Sequence, residues 1–187
     1  MRTFLLAALV VCLAPLAVRA AVITEFMATN QNTVMDEDGV YSDWIEIYNP
    51  TSAAESLLGW SLTDNARDLH KWVFPDVTLQ PGEYRLVFAS SKNRTNPLRE
   101  LHTNFKLSAA GEYLGLIRFD GTVANEFSPA YPPQTPDVPF YSYGLSPRDG
   151  SLLVFDAPTP GWQNTPEPAT LSLLAAGLLA LAARRRR

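Results

Sequence analysis

Between Ala21 and Gly161 the apolar residues recur at every second position, and that period commits the chain to strands. Tyr84-Arg85-Leu86-Val87-Phe88-Ala89 shows it most clearly, with Tyr84, Leu86 and Phe88 on one face and Arg85, Val87 and Ala89 on the other. Val22 to Ala28 and Trp44 to Tyr48 have the same branched and aromatic character. Further strands are expected at Gly59 to Leu62, His70 to Phe74, Tyr113 to Phe119, Val123 to Phe127, Tyr141 to Leu145 and Leu152 to Phe155. Pro81-Gly82 supplies a turn before Tyr84, and Asp120-Gly121 reads as a two-residue hairpin connection. No window outside the two chain ends carries an amphipathic helical stripe. Short strands separated by turns every 8 to 12 residues define an all-β sandwich or barrel.

The two ends are of another kind. The first 20 residues begin with Arg2, continue through an apolar core from Phe4 to Leu16, and finish on small residues at Val18 and Ala20. This is the build of a secretory signal peptide cleaved after Ala20. A lipoprotein signal using Cys12 fits poorly, because Cys12 lies inside the apolar core behind a bulky Val11. Cys12 is the single cysteine, so a chain starting at Ala21 has neither disulfide nor thiol chemistry and must rely on a packed core.

The tail, residues 164–187, has three parts: Pro166-Glu167-Pro168, an uncharged Leu- and Ala-rich run from Ala169 to Ala183, and Arg184, Arg185, Arg186 and Arg187. The prolines keep the triplet extended. As a helix the run is roughly 22 Å long, short of the roughly 30 Å hydrocarbon core. The four arginines can snorkel to the interface and stop translocation. The stretch from Pro158 to Pro168 reads as a linker between domain and tail.

The formal net charge of −4 hides an asymmetry. Six of the 15 basic residues lie in the two ends, leaving nine against 18 acidic ones between residues 21 and 164, a balance of −9. Such a surface repels phosphate backbones and excludes nucleic acid as a partner.

At residues 165–187 the sequence resembles the PEP-CTERM sorting signals of bacteria, with Thr165 where the family usually has Val. That resemblance implies a transient stay in the inner membrane, processing by an exosortase-type enzyme, and delivery to the cell surface or exopolysaccharide matrix of a Gram-negative bacterium. The segments VITEFMATN, DEDGVYSDWIEIYNPT, LLGWSLTDN, KWVFPDVTLQPGEYRLVFAS and HTNFKLSAAGEYLGLI resemble the lamin tail domain. The likeness runs from Val22 to Val123, with a looser continuation to Trp162. It implies an immunoglobulin-like β-sandwich over residues 21–163, in a family found on secreted and surface proteins with no activity of its own. The expected architecture is that sandwich, flanked by a signal-peptide helix and a short C-terminal transmembrane helix.

Chemistry-bearing residues are sparse. The two histidines, His70 and His102, sit in no motif that pairs a nucleophile with a base, and His102 reads as a loop residue. The expectation is a protein without catalytic residues and without a zinc site. Asp36-Glu37-Asp38-Gly39 resembles the opening of a calcium loop, yet in that register Val40 and Ile47 fall where ligands belong. A looser calcium site from Asp36, Asp38 and Asp43 is one reading, and an acidic turn shaped by Gly39 is the other. Trp44, Trp60 and Trp72 read as core, while Trp162 lies beyond the last strand. The expected function is that of an exported, non-enzymatic surface or matrix module with a structural or adhesive role. The alternative is a calcium-dependent domain binding polysaccharide or protein.

Overall fold

Branched and aromatic runs with period two become the principal strands of a computed structural model that describes residues 20–134 and 141–164. In chain order these are β1 (Val22–Met27), β2 (Asp43–Tyr48), β3 (Glu55–Ser56), β4 (Ser61–Thr63), β5 (Trp72–Val73) and β6 (Thr78–Leu79). There follow β7 (Tyr84–Ala89), β8 (Leu101–His102), β9 (Leu114–Ile117), β10 (Val123–Phe127), β11 (Ser142–Leu145) and β12 (Leu152–Phe155). The signal peptide up to Arg19, the Pro166-Glu167-Pro168 motif, the apolar run and Arg184 to Arg187 lie outside the described residues.

Six strands form one sheet in the order β12-β11-β1-β2-β7-β8, and four form the facing sheet in the order β10-β9-β4-β5. A small β3-β6 ladder closes one side. Pairings are antiparallel except β7 with β8. The result is the expected all-β, immunoglobulin-like sandwich. Ile23, Phe26, Ile45, Ile47, Val87 and Tyr143 of the larger sheet meet Trp60, Leu62, Trp72, Leu114, Leu116 and Phe127 in one continuous core. Trp44, Trp60 and Trp72 are buried, as expected, whereas Trp162 is 75% exposed.

Several sequence expectations need correction. The β9–β10 connection is longer than two residues: Arg118 N–H bonds Thr122 O, and Gly121 N–H bonds Arg118 O with Gly121 at φ 82°. A type I turn followed by a left-handed glycine is a three-residue hairpin solution. His102 is fully buried in β8 rather than in a loop. The two-residue strands β3, β6 and β8 carry no legible period.

The outer face of the larger sheet is also covered, which is unusual for an antiparallel sheet that could face water there. Met27, Trp44 and Phe88 form a second apolar cluster on that face, with Val34 from the β1–β2 loop packed on it. Beside this cluster, residues 156–164 return across the sheet as a strap instead of forming the expected linker. Trp162 N–H bonds Thr159 O, and Asn164 is buried.

Candidate functional site

Beneath the strap lie two carboxylates that neighbouring strands place face to face. Glu25 of β1 and Glu46 of β2 are register partners, and both are fully buried. A bulge in β1 between Ile23 and Glu25 brings Glu25 onto the outer face while Ile23 and Phe26 remain in the core. Glu25 accepts hydrogen bonds from the Ser142 hydroxyl, from Thr159 N–H at 3.0 Å and from Thr159 Oγ1 at 2.8 Å. Glu46 accepts from Thr24 Oγ1 at 2.6 Å and from Gly161 N–H at 2.5 Å.

The strap ends in a fitted seat. Asn164 Nδ2 donates to Thr24 O at 2.8 Å and to Leu145 O at 3.1 Å, above Gly144. A Cβ on Gly144 would lie 2.7 Å from Asn164 Nδ2 and 2.8 Å from Thr24 O, so only glycine admits the strap here.

Burial pushes Glu46 up to about 7; hydrogen bonds from Thr24 and Gly161 oppose the rise, and the charge of Glu25 adds to it. Glu25 is raised too, burial outweighing its hydrogen bonds from Ser142 and Thr159. A pair of acids with raised proton affinity is the currency of acid–base catalysis. Both side chains here are wholly inaccessible, so the pair serves as the anchor of the strap. Sequence reasoning missed it because a Glu flanked by isoleucines in Ile45-Glu46-Ile47 reads as facing water. One signal was present: Trp44 shares the face of Glu46, and a tryptophan there implies that the face is covered.

The acidic loop is at the opposite end of the sheet. Asp36 is buried and accepts from Asp38 N–H (3.0 Å), Val40 N–H (3.2 Å), Ser42 Oγ (2.6 Å) and Lys92 Nζ (2.6 Å). Although burial disfavours its charge, Lys92, Ser42 and the two amides hold its carboxyl well below the usual range. Asp38 is held down to about 2 by Arg94 and then Lys92, which it meets at 2.8 and 2.6 Å. Glu37 pairs with Arg99 and Arg94, both at 2.8 Å. Asp43 is apart from this cluster: it accepts from Asn30 N–H at 3.2 Å, and burial raises it to about 6. The structure therefore does not bring Asp36, Asp38 and Asp43 together, and among the described residues no three acidic, His or Cys side chains are grouped to hold a metal. Gly39, at φ 74°, turns the loop so that Asp36 caps its own amides. The cations Lys92 and Arg94 stand where a calcium ion would have to compete.

Both histidines have a serine partner. His70 is exposed, with Nδ1 3.1 Å from Ser61 Oγ. His102 has Nδ1 2.8 Å from Ser90 Oγ and Nε2 4.0 Å from Glu100, and it stacks on Phe88. Serine, histidine and glutamate in that order suggest a triad, but Ser90 is 8% exposed and His102 fully buried, which denies a substrate approach. Burial first, and then the charges of Lys92 and Arg94, push the imidazole pKa down.

Topology and core define the class, an immunoglobulin-like β-domain whose last segment is docked on its own sheet. The chain belongs to the lamin tail domain family, whose pattern matches residues 16–130. The PEP-CTERM protein-sorting motif matches residues 164–187, beginning at Asn164, the last described residue. A comparison with curated proteins gave no match. Together the two matches describe a surface β-domain that is exported, processed by an exosortase-type system and located at the cell surface or outside a Gram-negative bacterium.

Proposed function

We propose that the protein is a non-enzymatic display module, delivered through the inner membrane and retained at the surface or in the exopolysaccharide matrix as a structural or adhesive sandwich. A signal peptide ending at Ala20 starts the route, and the tail, a transient transmembrane anchor, ends it. The observation that carries the reading is the docking of Thr159, Gly161 and Asn164 on the sheet. It leaves Thr165 as the only residue between the buried Asn164 and the motif Pro166-Glu167-Pro168. The docked segment thus runs, in the sequence, to within one residue of the sorting motif. The sparse chemistry of the buried acids and histidines suits display better than turnover.

Intact mass of protein recovered from medium and matrix tests this reading. A chain running from Ala21 to a C-terminus near Pro168 is expected. Recovery only from membranes with Arg187 retained would sink it. The second reading, calcium-dependent binding of polysaccharide or protein, draws on Asp36 and Asp38 and requires Lys92 and Arg94 to give way. Thermal melting with and without millimolar calcium separates the two, and the display reading expects no shift.

A further inference from the structure

The strands have two ends, and the register sorts the strand termini between them. Val22 pairs with Tyr48, Tyr48 with Tyr84, Ile117 with Val123 and Leu145 with Leu152, so these residues share one pole. Met27 pairs with Trp44, Asp43 with Ala89 and Leu114 with Phe127, which puts the acidic loop and the 108–112 turn at the other. The described residues begin and end at the first pole. Ala20 and Asn164 line one cleft of about 750 Å³ there, together with Arg118, Leu145 and Arg148.

We propose that this pole is a membrane-apposed surface and that its partner is the lipid headgroup layer; the inference rests on the reading of the tail as a transient anchor. Four residues, 165–168, separate Asn164 from the apolar run at Ala169, a reach of at most about 18 Å even when fully extended. Because Asn164 is pinned to Thr24 O and Leu145 O, that reach is measured from the sandwich itself. A free segment 156–164 would add about 30 Å and let the domain turn over. The docked strap forbids this and holds the Ala20 pole down.

The pole suits the headgroup layer chemically. Trp162, 75% exposed, lies on the strap two residues before Asn164 and is of a type enriched at membrane–water interfaces. Phe119, 73% exposed, tips the β9–β10 hairpin at the same pole. Arg118 and Arg148 are opposed there by Glu55, Glu83, Asp120 and Asp149, so no net attraction to anionic lipid is involved. The short tether and the aromatics fix the orientation. The opposite pole, bearing Asp36, Asp38, Lys92 and Arg94, then faces away from the membrane.

The chain from Ala21 to Arg187 has no cysteine, so one introduced residue takes one fluorophore. Arg148→Cys and Phe119→Cys mark the proposed membrane pole, and Ala110→Cys, on the far turn, is about 20 Å higher by strand length. Each labelled chain is reconstituted in phosphatidylcholine vesicles containing a headgroup-quencher lipid. Quenching at 148 and 119 is expected to exceed that at 110 by about threefold or more, given that separation. A spacer of about twelve Gly/Ser residues after Asn164 should abolish the difference by freeing the domain. Equal quenching at all three positions without the spacer, or a difference that survives it, overturns the proposal. A chain that does not float with the vesicles overturns the anchor reading itself, and is recognised as such before any quenching is read.

Discussion

Replacing Glu46 with Gln should flatten the dependence of stability on pH between about 4.5 and 7. Glu46 is fully buried, faces Glu25, and has a pKa raised from 4.5 to about 7 chiefly by burial. A raised acid favours the folded state while it is protonated. Its stabilisation is complete below the unfolded value of 4.5 and is lost as pH rises through the folded value of about 7. At about 1.4 kcal/mol for each tenfold change in proton affinity, the loss is about 3 kcal/mol. Glutamine keeps the site neutral at every pH, its oxygen accepting from Gly161 N–H and its amide donating to Thr24 Oγ1. Urea unfolding of the mature protein at a series of pH values measures the effect. The parent should lose stability from pH 4.5 to 7, and Glu46→Gln should remove most of that slope. A remainder of the same sign is expected from Asp43, raised to about 6, and from Glu25. An unchanged slope in the variant would show that Glu46 is not buried as a neutral acid, and the account of the strap anchor would fail with it.

Three other outcomes follow from the same geometry. Gly144→Ala should cost about 1 to 3 kcal/mol by overpacking and expose the strap to proteolysis near Trp162, because the new methyl meets Asn164 and Thr24 O; a strap as resistant as the parent's would contradict the fit. Lys92→Ala removes the ammonium paired with buried Asp36 and should cost about 2 kcal/mol at neutral pH, Lys92 itself being part-exposed. That cost should shrink in strong acid, since a depressed carboxyl stabilises fully above its unfolded value of 3.8 and loses the effect progressively as pH falls from there through its depressed folded value; a loss independent of pH would refute the ion-pair account. At the other end, Ala21 N–H donates to Glu55 Oε2 at 2.6 Å, and cleavage after Ala20 would turn that amide into an ammonium. Protein beginning at Ala21 should then melt higher than protein with extra N-terminal residues, and Glu55→Gln should erase the difference; equal melting of the two parents would discount the pair.

The longer strands and the sandwich were legible because Val22 to Met27, Tyr84 to Ala89 and their neighbours carry enough residues for a period to show. Glu55-Ser56, Thr78-Leu79 and Leu101-His102 are strands only because partners exist elsewhere in the chain, and two residues have no period. The strap is the instructive failure. Proline and glycine at Pro158, Pro160 and Gly161 satisfy every compositional test for a linker. What holds this segment down is contributed 134 positions away by Glu25 and 115 away by Glu46. The two acids went unread with it, because a Glu inside a short apolar strand carries no local mark of burial beyond Trp44 on the face of Glu46. The two errors have one cause. A buried carboxylate without a cation needs donors, and a segment that cannot join a ladder has free backbone N–H groups to give. Thr159 and Gly161 supply them, so the strap is fixed by the demand of the acids, and the acids are tolerated in the fold by the presence of the strap.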